Sequence, residues 1–140
     1  MVVAFRERLA VVAVIDDSRP IFIQIAELIE SEIVAGTMAE ESQVPSTNEF
    51  AAYYRINPAT AAKGVNLLVE SGILYKKRGI GMFVATGARE KLMADRRSAF
   101  QHQYVQPLAR EARKLGINAE QLALMVHESL SAAATEGSVL

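Results

Sequence analysis

The chain has 140 residues, 51% hydrophobic and 22% charged, with a formal net charge of −1; this suffices for one ordinary domain, or a small domain with a helical appendage, and excludes two large ones. The apolar fraction excludes a disordered chain, and no apolar run approaches the roughly 20 residues of a membrane-spanning helix. The absence of cysteine removes disulfides, thiol nucleophiles and thiolate metal sites and is compatible with a reducing cytoplasm, the expected location.

In chain order, the apolar stretch Ala10 to Ile15 follows Arg6, Glu7 and Arg8, is short and lacks a cleavage site, so a strand at about Val11–Ile15 is expected rather than a signal peptide. After the turn-prone Asp16-Asp17-Ser18-Arg19-Pro20, the spacing of Phe22, Ile25, Ala26, Ile29 and Ile33 predicts an amphipathic helix that stops at Gly36. A polar loop, Thr37 to Val44, leads to Pro45-Ser46-Thr47-Asn48-Glu49, where Ser46 can cap a short helix over Thr47–Tyr54 and Glu49 can return the bond. Asn57 is a strong N-cap type and Pro58 suits a first turn, so a third helix is expected from there to about Glu70, with Ala61, Val65, Leu68 and Val69 as its apolar stripe. The period then changes to that of strands, Ile73–Lys77 and Met82–Ala85, around a turn at Arg78-Gly79-Ile80-Gly81.

Three helices closed by a hairpin give the element order of a winged helix-turn-helix, a mainly α fold with a small β-hairpin (α+β). Its expected extent is residues 1–86, with residues 87–140 as a helical dimerisation segment. In that segment helices are expected at about Arg89–Leu115 and Ala119–Ala134, separated by Gly116 and Asn118, with a kink or break at Pro107.

Four segments in this order and spacing, Pro20-Ile21-Phe22-Ile23-Gln24-Ile25, Pro45-Ser46-Thr47-Asn48-Glu49-Phe50-Ala51, Asn57-Pro58-Ala59-Thr60 and Arg78-Gly79-Ile80-Gly81-Met82-Phe83-Val84, resemble the GntR family of bacterial transcriptional regulators, best its short-tailed YtrA-like branch. The resemblance covers about Val11 to Ala85. It implies a dimeric repressor on a near-palindromic DNA operator, the third helix in the major groove and the wing beside it. The chain departs from the family pattern in having Asn48 where many members carry Arg, Arg55 where they carry Gly, and no Pro-Gly before the Pro-Ser pair. Lys63 matches a position that is usually basic in this branch.

The residues support the same chemistry independently. Asn57, Ala59, Thr60 and Lys63 lie where a recognition helix presents its first turns to base edges and phosphates. Thr47 and Asn48 open the preceding helix, whose unpaired N–H groups and dipole favour phosphate, while Ser46 is expected to cap. The net charge supplies no global attraction to DNA, but Arg55 and Lys63 flank the recognition segment and Lys76, Lys77 and Arg78 are consecutive. Strand alternation sends the two lysines to opposite sides, so only one of them, here Lys77, is a wing candidate beside Arg78 and Gly79. A protein-interaction module using the same surface is the competing reading; it would call for exposed aromatics rather than a basic wing.

Leu108, Ala112, Leu115, Leu122, Met125, Val126 and Leu130 are too many apolar residues for two helices alone in water, so they are the candidate homodimer contact. Met93, Phe100, Tyr104 and Met125 are candidates to line the site of a small-molecule effector of unknown identity, although about fifty residues leave little room for a cavity. His102 and His127, the two histidines, are too few and too far apart for the metal set of a larger GntR branch, and no Ser-His-Asp or paired-carboxylate spacing occurs. No metal, cofactor or enzymatic activity is expected.

Overall fold

The computed structural model describes residues 15–138. The strand expected over Val11–Ile15 lies, except for Ile15, outside them.

Helix α1 spans Ile21–Ala35 and ends where Gly36 turns left-handed at φ 83° and donates its N–H to the Ile33 carbonyl. Helix α2, Thr47–Tyr54, starts where Ser46 Oγ accepts from the Glu49 N–H at 3.1 Å. Helix α3, Pro58–Glu70, starts where Asn57 Oδ1 accepts from the Ala59 N–H at 2.8 Å, with Pro58 in the first turn. Strands β1, Leu74–Lys77, and β2, Gly81–Val84, pair antiparallel in a register running from Leu74 opposite Val84 to Lys77 opposite Gly81.

One core joins these elements: Ile25, Ile29 and Ile33 of α1, Phe50 of α2, Ala61, Val65 and Leu68 of α3, and Leu74 and Val84 of the hairpin are buried together. Gly64 sets the approach of α1 to α3. A Cβ there would lie 2.6 Å from the Phe22 carbonyl oxygen and 3.1 Å from Ile25 Cβ, so only glycine lets the two backbones come this close.

The polar stretch before α2 is more ordered than a surface loop. Glu41 N–H donates to the Val84 carbonyl (2.8 Å), Val84 N–H to Ser42 (3.0 Å) and Val44 N–H to Met82 (2.9 Å), with Gln43 opposite Phe83. It thereby pairs the free edge of β2, whose backbone groups would otherwise need water, and buried Met38 and Val44 hold it inward. Glu41 sits at φ 64°, and its carboxylate accepts from Thr86 Oγ1 at 2.6 Å and from the Tyr75 hydroxyl.

The bonds from Thr86 and Tyr75, then the nearby Lys77 charge, hold the Glu41 carboxyl below the ordinary carboxylate range, and the bond to Glu41 raises the Tyr75 hydroxyl. A carboxyl depressed by folding stabilises the fold above its unfolded pKa, and that contribution is lost as pH falls through the folded value. Glu41→Gln should therefore unfold at a lower temperature than wild type at pH 7. Thermal scans across the acid range should show the two midpoints converging; a gap that is constant with pH would mean the Glu41 charge is not involved.

Helix α4, Ala88–Phe100, carries Ala88 and Leu92 into the same core. At the kink or break expected around Pro107 the chain forms a single π-helical turn, Gln101–Val105, that runs directly into helix α5, Gln106–Lys114. Proline has no N–H for the carbonyl four residues back and its ring crowds that carbonyl; a widened turn accommodates both. Helix α6, Ala119–Ser138, opens with a reciprocal cap: Asn118 Oδ1 accepts from Gln121 N–H at 2.8 Å and Gln121 Oε1 from Asn118 N–H at 3.0 Å. It runs four residues beyond the expected Ala134.

By contacts, the described residues up to Asp95 form one compact unit and those from Arg96 a second. Ala88 and Leu92 carry the first unit past Thr86 into α4. No helix among the described residues is long and apolar enough to cross a membrane.

Candidate nucleic-acid interface

All ten residues singled out from the sequence for DNA contact belong to the first unit, and none is buried. They fall on three features.

The first is the start of α2. Ser46 spends its hydroxyl on the cap, while Asn48 is exposed and Thr47 half-buried beside the leading N–H groups of the helix. Those groups and the helix dipole place positive potential there without a charged side chain.

The second is the turn into α3 and the outward face of that helix. Arg55, exposed, closes α2 in the left-handed conformation at φ 54°, ψ 48°, which glycine adopts without crowding and an L side chain does not. The cap occupies Asn57 Oδ1, so its Nδ2 is the group left to donate to a base acceptor or a phosphate. Thr60 is half-buried, and Ala59 and Lys63 are exposed one turn apart. Lys63 Nζ lies 4.0 Å from the centroid of the Phe22 ring, a contact that orients the ammonium while leaving its positive field intact. Asn66, also exposed and seven residues after Ala59, continues this row. The 3.6-residue period could have revealed it, and its amide is of the type that reads adenine.

The third is the wing. Lys77 and Tyr75 share one strand face, as expected from alternation. Lys77 Nζ lies 4.3 Å from the Phe83 ring centroid and 5.9 Å from that of Tyr75. Arg78 and Gly79 are exposed at the tip, where Gly79 takes φ 79° and Ile80 N–H closes the turn onto the Lys77 carbonyl at 3.0 Å. Gln43 Nε2 donates to the Ile80 carbonyl at 3.1 Å. Three residues further, Ser46 caps α2, so the wing tip and the start of α2 are tied by one short segment. Nothing local in the sequence marks Gln43, since its partner is 37 residues away.

Residues 23–84, which contain all ten candidates, match the family described as "Bacterial regulatory proteins, gntR family". A GntR family transcriptional regulator from Listeria monocytogenes is similar in structure, with a TM-score of 0.68 and 32% identity over 81% of this chain and 97% of that one. The chain belongs to the GntR family. Its first unit has the winged-helix fold of the family's DNA-binding domain, and the family is one of transcriptional regulators rather than enzymes.

Among curated GntR relatives, the HTH-type transcriptional repressor YtrA of Bacillus subtilis is 29% identical over 75% of this chain and 80% of its own length. The HTH-type transcriptional repressor NagR of Bacillus subtilis is 31% identical over 53% of this chain. The chain spans less than a third of the length of the first curated relatives it matches, 28% and 30%.

In the second unit, Leu108, Leu115, Met125, Val126 and Leu130 are exposed, Leu122 is half-buried and Ala112 is buried. Of the candidate effector-lining residues, Phe100 and Tyr104 hold their ring centroids 5.6 Å apart and are exposed, as is Met125; Met93 is half-buried. His102 and His127 are exposed, and the described residues contain no group of three or more potential metal ligands.

Proposed function

We propose that this GntR-family regulator is a homodimeric repressor of an operator with two-fold symmetry. The unit ending at Asp95 contacts the DNA through Thr47, Asn48, Arg55, Asn57, Ala59, Thr60, Lys63, Lys77, Arg78 and Gly79, and the segment beyond it holds the dimer.

The observation that carries the reading is the exposed Arg78-Gly79 tip, tied by Gln43 to the capped start of α2. The cations and helix N-termini suit phosphate, and the amides and hydroxyl of α3 suit base edges. A protein-binding use of this face has less support, because among the described residues the exposed large hydrophobics of the first unit are Leu67 and Ile80, neither aromatic. That YtrA and NagR are named repressors supports the sign of regulation.

Selecting bound fragments from random-sequence duplex DNA and footprinting them tests the reading. Two inverted half-sites should appear with centres about 10 or 20 base pairs apart, so that both recognition helices meet one side of the duplex. A reporter placed behind the selected sequence should fall when the protein is expressed. Saturable binding of a monomer to one asymmetric half-site would overturn the two-fold reading, and a rise in the reporter would overturn repression.

A further inference from the structure

Among the described residues, positive φ occurs at six glycines and at two other residues, Glu41 and Arg55. For an L-residue this conformation crowds Cβ against the following carbonyl, so a side chain kept there needs a compensating role. Glu41 has one inside the chain, through its bonds with Thr86 and Tyr75. Arg55 does not: its backbone N–H returns to the Ala51 carbonyl, as does that of Ile56 at 3.0 Å, but its exposed guanidinium has no hydrogen-bond or ion-pair partner among the described residues.

The turn itself asks only for left-handed backbone. Arg55-Ile56-Asn57 is the whole connection between α2 and α3, and glycine would make it without crowding. The arginine also stands two residues before the Asn57 cap, next to the end of α3 that would enter the DNA.

We infer that Arg55 is a phosphate clamp: a strained turn residue whose guanidinium binds the DNA backbone beside the inserted end of α3, so that the turn gives up fold stability for affinity. This rests on the DNA-binding reading above and assigns it a contact that is independent of sequence. The guanidinium suits the task because its planar fork meets two phosphate oxygens at once, and an ion pair with phosphate displaces a condensed counterion.

The test uses the full chain with Arg55→Gly, Arg55→Asn and Arg55→Lys, and Arg78→Ala for comparison. Each is measured by thermal unfolding and by binding, at several salt concentrations, to a random-sequence duplex and to a duplex recovered by selection. Arg55→Gly and Arg55→Asn should unfold a few degrees higher than wild type, since both residues tolerate the left-handed region. The same variants should bind both duplexes about tenfold more weakly, with the log-log salt slope reduced by nearly one. Arg55→Lys should keep most of the slope and the wild-type unfolding midpoint.

Unchanged affinity and slope in Arg55→Gly would overturn the clamp, and a lowered midpoint in both Gly and Asn variants would overturn the strain. A loss confined to the selected duplex at constant slope would make Arg55 a base-reading residue and overturn phosphate contact. Wild-type protein that binds neither duplex would instead overturn the DNA-binding reading itself, before any variant is compared.

Discussion

Gly64→Ala should lower the unfolding temperature of this protein by roughly 10 °C, the counterpart of about 2 kcal/mol in a small domain. By helix propensity alone the change should stabilise α3 by about 1 kcal/mol. The added methyl, however, would lie 2.6 Å from the Phe22 carbonyl oxygen and 3.1 Å from two carbons of Ile25. The first obstacle is backbone, which no rotamer change relieves. Overpacking a core costs about 1–3 kcal/mol, and an obstacle of this kind places the cost at the upper end. To relieve it, α1 would have to move away from α3, loosening Ile25, Ile29, Val65 and Leu68 and shifting Phe22 from beneath Lys63. DNA affinity should fall with stability. Thermal and urea unfolding check this, and a Gly64→Ala protein as stable as wild type would mean that the two helices do not approach as closely as described.

The same glycine shows where sequence reading stops. Helix ends were legible because their determinants are local: Gly36 stops α1, Ser46 starts α2 and Asn57 with Pro58 starts α3, each by a bond within a few residues. Pro107 announced its disturbance for the same reason, although the π-helical form of the break depends on how the turn adjusts. Gly64 reads within its helix as a weak helix former, and its reason lies 39 residues away on Ile25. The stretch from Glu41 to Val44 reads as a polar loop, because its pairing with β2 joins residues about 40 apart. Arg55 stood out as a departure from the family pattern, but its meaning depends on its φ value and on its lack of a partner among the described residues, neither of which is written in residue types. The candidate DNA residues were legible as chemistry, basic or amide groups at helix starts and at a turn; their link through Gln43 was not.

In the proposed homodimer, Leu130→Glu should convert dimer to monomer at micromolar concentration and reduce affinity for the proposed two-fold operator by two orders of magnitude or more. The motive is the second unit's surface, where Leu115 is 66% and Leu130 67% exposed, with Leu108, Leu124 and Met125 also exposed. Completely burying an exposed leucine is worth about 1.5–3 kcal/mol, and association itself costs an estimated 4–15 kcal/mol, so several such residues must contribute together. A carboxylate in place of Leu130 loses one of these contributions and adds an unpaired charge to a contact that excludes water. A combined loss of about 4 kcal/mol would weaken dimerisation roughly a thousandfold. The folded monomer should be little affected, because Leu130 lies on the surface and glutamate is a good helix former. Operator affinity falls because two recognition helices joined in one particle gain about 10²–10⁴ over separate ones when both half-sites are engaged. Light scattering, circular dichroism and footprinting on one preparation separate the outcomes: a helical monomer that protects the operator weakly is expected. If both Leu130→Glu and Leu115→Glu remain dimers, the dimer contact lies elsewhere, and a chain ending at Asp95 that still dimerises would place it in the first unit.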